Sequence, residues 1–237
     1  DVCQMRTTPK LINSLIRLNC MVLLTGSKFY QSPPFCGAIL VPKTISSKLK
    51  NITDKAVEPF LNIFSTSDIS CEHPILRDKF RKNENYGTLL RWEAAISEMK
   101  LLSFYGEDMV TMAIDRWNAF VISQLQINSD FFELMPDQQF TNRSIISFNV
   151  KHPDGSLLSD EELRTLYLKV CAHEREDFYD FKKIIIGQPV KYDNKSFIRL
   201  ALGSYNVRML IANEFDFKFD RKLINIIVSD LKQLFWI

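Results

Sequence analysis

Lys28 is the residue whose setting most invites covalent chemistry. It directly follows a short apolar run, Met21-Val22-Leu23-Leu24, and a polar corner, Thr25-Gly26-Ser27. A lysine at the end of a buried strand faces the crevice in which α/β folds bind ligands. Partial burial favours the neutral form of an amine, and a neutral amine condenses with an aldehyde to an imine. Thr25 and Ser27 add hydroxyls and Gly26 allows close backbone approach, so the corner can hold a phosphate beside the amine. Asp1 lies one helix and one strand upstream, enough chain to return beside a neighbouring strand by a right-handed crossover. A carboxylate there can pair with a protonated pyridine nitrogen, and Gln4 can donate a hydrogen bond to an oxygen on the same ring. The plain alternative is an exposed lysine at a strand end with no chemistry.

These residues need elements to position them. Leu11, Ile12, Leu15, Ile16 and Leu18 repeat with helical spacing over residues 11–19. Met21–Leu24 reads as a buried strand, Ser32-Pro33-Pro34 as a break, and Gly37–Val41 as a second buried strand stopped by Pro42. Helix, strand, loop and strand in that order suggest an α/β layer. Residues 43–85 are polar and irregular and read as a surface excursion or a loosely helical connector. Residues 87–104, with Leu89, Leu90, Trp92, Ala95, Ile96 and Met99, predict a well-packed helix; Gly106 interrupts it, and a second long helix follows over 107–126. Beyond residue 128 the pattern changes. Phe131–Met135, Ser144–Val150, Lys183–Val190 and Ser196–Leu202 read as strands, and His152-Pro153-Asp154-Gly155 as a turn. Ser159 followed by Glu162 is a capping box that starts a helix through Leu163, Leu166 and Val170. Helices at Val207–Phe215 and Arg221–Phe235 close the chain. This second half reads as a small α+β domain, 106–237, after an α/β region, 1–105.

Composition narrows the options. The 237 residues are 46% hydrophobic and 24% charged, with a net charge of +2. That balance argues against nucleic acid as a partner. No apolar run approaches the roughly 18–20 residues of a membrane span. The five cysteines (Cys3, Cys20, Cys36, Cys71 and Cys171) are widely spaced and contain no CxxC, so free thiols in a reducing, cytoplasmic setting are expected. Cys71 with His73, and Cys171 with His173, give two ligands each, short of the four of a structural zinc. No metal is expected.

Asp1, Gln4, Thr25, Ser27 and Lys28 together resemble the fold-type I pyridoxal-phosphate enzymes of the class V aminotransferase and cysteine desulfurase group. In that family an Asp-x-x-Gln or Asp-x-x-His segment ends a strand, and a later strand and short turn carry a Ser or His next to the Schiff-base lysine. The resemblance continues at Arg199-Leu200-Ala201-Leu202-Gly203-Ser204-Tyr205-Asn206, which is similar to the family's Arg-x-Ser-x-x-x-Tyr-Asn segment, and at Gly187-Gln188-Pro189, where the family has a substrate loop ending in Gln-Pro. It implies that Lys28 forms the Schiff base with pyridoxal 5'-phosphate, Asp1 pairs with the pyridine nitrogen, Gln4 meets the ring oxygen, Thr25 and Ser27 bind phosphate, and Arg199 holds the substrate's carboxylate. It further implies a homodimer acting on a small amino acid.

Two departures bear on the reaction. Ile186 stands where desulfurases carry their nucleophilic cysteine, and Cys171 is too far upstream to replace it; Ala201 stands where the family often has Ser. Amino-group transfer is therefore the first expectation, C–S or C–C lyase or hydrolase chemistry the second, and a non-catalytic remnant the third. An α/β binding module without a cofactor is the bland alternative. Arg208 is a second cation that can meet a side-chain carboxylate. By the same resemblance the chain corresponds to the C-terminal part of a family member: the end of a mainly parallel large-domain sheet, then a small α+β domain. On its own it is expected to bind the cofactor weakly or not at all.

Overall fold

The computed structural model describes residues 1–47, 54–82, 85–136, 142–173, 184–192 and 195–236. Helices and two small antiparallel sheets divide between two compact units, Asp1–Leu101 and Leu102–Ile237.

The first unit begins with α1 (Pro9–Arg17), capped by the Thr8 hydroxyl, which accepts from the Leu11 N–H. Proline at its first turn costs nothing, because that N–H has no intrahelical partner anyway. Strands β1 (Val22–Thr25) and β2 (Gly37–Leu40) follow and pair antiparallel, with Val22 opposite Leu40 and Thr25 opposite Gly37. The expected mainly parallel sheet, and with it the transferase large-domain fold, is not what the structure shows. The connection between the strands explains the difference. A parallel pair needs a crossover of a dozen or more residues, usually a helix, whereas residues 26–36 form a loop that closes on itself. Gly26 N–H and the Thr25 hydroxyl both donate to the Cys36 carbonyl, at 2.9 and 2.6 Å. One parallel contact does exist: Val2 bridges to Leu24, with Val2 N–H donating to Leu23 O at 2.9 Å.

Burial in this unit also departs from expectation. Val22 and Leu24 of β1 are buried, but β2 is mostly exposed, with Ile39 half-exposed opposite an equally open Leu23. Short helices α2 (Lys43–Ser46), α3 (Asp54–Val57) and α4 (Pro74–Arg77) occupy the irregular stretch. Helix α5 (Tyr86–Ser103) is apolar on more than one side, which ordinarily marks a fully buried helix. Here Ala95 is buried while Leu89, Leu90 and Ile96 are exposed, so the expected close packing is confined to one stripe. That stripe meets the β1–β2 loop. A Cβ added to Gly26 would lie 2.4 Å from Ala95 Cβ and 2.9 Å from Cys36 Sγ, and Trp92 Nε1 donates to Gly37 O at 3.3 Å.

The second unit is a two-layer α+β structure. Helix α6 (Glu107–Ile127) starts after Gly106, whose φ of 75° suits glycine. Strands β3 (Phe132–Leu134) and β4 (Ile145–Val150), helix α7 (Asp160–Ala172), strands β5 (Gly187–Tyr192) and β6 (Lys195–Ala201), and helices α8 (Ser204–Ala212) and α9 (Lys218–Phe235) complete it. The sheet is antiparallel in the order β3-β4-β6-β5. Alternation sends Ile146, Phe148, Val150, Ile198 and Leu200 to a buried face against the helices, beside Leu163, Leu166 and Val170 of α7 and Ile224, Ile227 and Leu231 of α9. Each such side chain contributes about 1.5–3 kcal/mol on burial. Ser196, on the same face, donates to Asp160 at the start of α7. Trp117 Nε1 donates to Asp220 Oδ1 at 2.8 Å and ties α6 to α9.

Candidate functional site

In the first unit, strand pairing brings four of the chemically informative positions to one place. The parallel Val2–Leu24 bridge sets Asp1 beside Leu23 of β1, and Phe29 N–H donates to Gln4 O at 3.2 Å, so the first turn of the chain lies against the turn that carries Lys28. Phe29 itself is buried and anchors that turn. The Asp1 carboxylate is exposed; its Oδ1 accepts from Cys3 N–H at 2.7 Å, leaving Oδ2 open. Gln4 Oε1 accepts from Arg6 Nε at 3.2 Å, which leaves its Nε2 as the outward donor. Arg6 was not singled out by sequence reasoning. It is buried, with its guanidinium 5.5 Å from the centre of the Phe29 ring. Residues 3–5 form a turn, with Met5 N–H on Val2 O at 2.7 Å and Met5 at φ 51°, so no strand or helix period marks Arg6 in the sequence.

Lys28 is exposed, not partly buried as its place after an apolar run suggested. The reason is local. The turn continues through Phe29, which takes the buried position, and the lysine is left pointing to solvent. Thr25 and Ser27 are 3.0 Å apart, oxygen to oxygen, and Thr25 Oγ1 also accepts from Ser27 N–H at 3.3 Å. The Thr25 hydroxyl has one proton, and it goes to Cys36 O at 2.6 Å. Ser27 must then be the donor to Thr25. Thr25 therefore serves the turn, and Ser27 alone can offer a proton outward by rotating its hydroxyl. Next to Phe29, burial and then the Glu98 carboxylate raise the Tyr30 phenol above its ordinary value.

An amine, an open carboxylate oxygen, an amide donor and a hydroxyl form a donor set complementary to pyridoxal phosphate, which presents an aldehyde, a ring nitrogen, a ring oxygen and a phosphate. Lys28, Asp1, Gln4 and Ser27 fit that group. Thr25 fits it only by giving up its bond to Cys36.

Arg199 belongs to the second unit. It lies on β6, flanked in register by Ser147 on β4 and Gly187 on β5. Its Nε is buried and has no hydrogen-bond partner. Gly187 is required beside it, since a Cβ there would sit 2.7 Å from Arg199 O and 3.0 Å from Arg199 Cβ. The Gly187-Gln188-Pro189 segment is not a loop but the start of the edge strand. Pro189 is tolerated at the register shift between Gly187 and Val190, where a missing N–H does no harm. Gln188 hydrogen-bonds Tyr167 on α7. Tyr205 and Asn206 lie in the first turn of α8, and Arg208 stacks over the Tyr205 ring at 5.4 Å. Cys171 lies within α7, beside Tyr167, and Ile186 is buried. All five cysteines are free thiols. Among the described residues there is no cluster of three or more metal-ligating side chains, and no helix is long and apolar enough to cross a membrane.

No protein-family model and no curated protein matches this chain.

Proposed function

We propose that the chain is part of a pyridoxal-phosphate-dependent enzyme acting on an amino acid, with transfer of an amino group as the reaction. The observation that carries this reading is the pairing of the Asp1–Gln4 segment with the Lys28 turn, through Val2 with Leu24 and Phe29 with Gln4. Pyridoxal phosphate, when bound, supplies an electron sink for the bonds around a substrate's α-carbon. Lys28 Nζ provides the attachment point and, once released, the base that takes and returns the α-proton. Asp1 Oδ2 would keep a proton on the ring nitrogen, Gln4 Nε2 would donate to the ring oxygen, and Ser27 Oγ would donate to phosphate. In the second unit Arg199 supplies a planar, permanently charged group for a carboxylate. Lyase or hydrolase chemistry without a nucleophilic cysteine is the second reaction type. It is consistent with Ile186 at the desulfurase position and with Cys171 held inside α7. By the same reading the protein is a homodimer, and the open Leu23, Ile39, Leu89 and Leu90 offer apolar surface for the second copy.

A non-catalytic remnant of the fold is the competing reading, favoured by the exposure of Lys28 and the closed Thr25–Cys36 bond. A visible spectrum at saturating pyridoxal phosphate separates the two. The enzyme reading expects an absorbance band near about 410–430 nm that Lys28→Ala removes. A folded protein with no band, or with a band that survives Lys28→Ala, contradicts it.

A further inference from the structure

Strand β2 has β1 on one side and an open edge on the other. Gly26 N–H donates to Cys36 O where the hairpin closes. Antiparallel pairing alternates, so Leu24 with Ala38 and Val22 with Leu40 exchange the ladder bonds. The pairs between them, Thr25 with Gly37 and Leu23 with Ile39, turn their backbone groups outward. Two bonds agree with that phase. Leu23 O accepts from Val2 N–H on the outer edge of β1, and Gly37 O accepts from Trp92 Nε1 on the outer edge of β2. Ile39 N–H and C=O therefore point away from β1, and among the described residues no hydrogen bond reaches them there.

This edge is also open in space. Gly37 is exposed, with nothing within 4 Å of a Cβ built on it, and Ile39 and Leu40 are 50% and 39% exposed. The usual protections of an edge are missing: Gly37-Ala38-Ile39-Leu40-Val41 contains no charge and no proline, and the hairpin register runs without a shift. A two-stranded sheet is marginal by itself, and a third strand stabilises it. The surroundings fix the charge of the strand that fits. Residues 2–53 hold seven lysines and arginines and no aspartate or glutamate, a basic stretch that the near-zero total charge conceals. Lys43, exposed, begins α2 just beyond the strand. Pairing with the β2 of a second copy would set two such basic stretches against each other. We infer that the outer edge of β2 receives an extended apolar strand of a partner protein, flanked by acidic residues. Backbone bonds to Ile39 supply the affinity, and Lys43 with its basic neighbours selects the acidic flanks. The inference rests on neither Lys28 nor pyridoxal phosphate.

The test uses the whole 237-residue chain, isotope-labelled at isoleucine and free of pyridoxal phosphate, with three synthetic peptides. The first alternates valine and threonine along a short strand between glutamates. The second has lysines in place of the glutamates. The third is the first with every strand nitrogen methylated. The Ile39 amide signal is the one lost in Ile39→Val. The glutamate-flanked peptide is expected to slow hydrogen exchange at that amide. It is expected to bind about 3- to 10-fold more tightly than the lysine-flanked one at low salt, the worth of one or two exposed charge pairs. Lys43→Glu should shrink that preference. Methylation should weaken binding at least about 10-fold. Ile39→Pro, which removes the outward N–H and spares the ladder to β1, should do the same. Unchanged exchange at Ile39, or equal binding of the methylated or the lysine-flanked peptide, overturns the inference. So does an Ile39 amide whose protection in the chain alone grows with protein concentration, since a second copy then holds the edge.

Discussion

At the residue scale the two sharpest features differ in how far the sequence revealed them. Lys28, Asp1 and Gln4 stand out because amine, carboxylate and amide flank a short helix-and-strand segment. Asn149 does not stand out at all: an asparagine in an apolar strand looks like an outward polar position, and its burial depends on partners distant in sequence. Gly26 reads from sequence as a place for a phosphate to approach, yet the structure gives it a packing reason, the contact with Ala95. Gly26→Ala should therefore destabilise the first unit by about 1–3 kcal/mol through overpacking, and Ala95→Gly in the same chain should relieve part of that loss in a thermal melt. Asp230 on α9 is buried, and His173 Nε2 lies 2.9 Å from its Oδ2. Replacing His173 by Ala leaves that carboxylate without its partner and should cost about 1–3 kcal/mol, measured by denaturant unfolding.

At the element scale the signals with local causes were legible. The capping box at Ser159 and Glu162 starts α7, and both reciprocal bonds are present. Ser159 N–H and then Ser159 Oγ donate to Glu162 Oε2 at 2.8 and 2.7 Å, and they hold the Glu162 carboxyl below its ordinary value. A folded-state value lower than the unfolded one means the stabilisation is present above the ordinary carboxylate range and is lost as pH falls through the folded value. Ser159→Ala should cost about 1 kcal/mol near neutrality, and the gap between variant and parent should narrow as pH drops toward about 3. The expected mainly parallel sheet is not found, and the cause is in the sequence. The residues from Gly26 to Cys36 hold Pro33 and Pro34 and no helical repeat, so nothing there can serve as a crossover. Helix α5 was misread for a different reason: an apolar residue on every side says that a helix wants burial, not that this chain supplies it. Leu89→Lys should therefore leave the thermal stability of the separated protomer within about 0.5 kcal/mol of the parent while weakening self-association through that face in analytical ultracentrifugation.

At the scale of the whole molecule, the order of elements was legible and their pairing was not, because hydrophobic period reports which residues face inward but not which strand lies beside which. The second unit shows this well. Its strands and helices follow the periodicity closely, while the order β3-β4-β6-β5 that sets Arg199 between Ser147 and Gly187 arises only in the folded sheet. The proposed function rests on one atom, Lys28 Nζ. Sodium borohydride reduction of the protein incubated with pyridoxal phosphate, followed by peptide mass mapping, tests it most directly. A stable pyridoxyl group is expected on the peptide containing Lys28, at a level above that on the other lysine peptides and reduced in Asp1→Ala. Labelling spread evenly over surface lysines, or absent from Lys28, would contradict it.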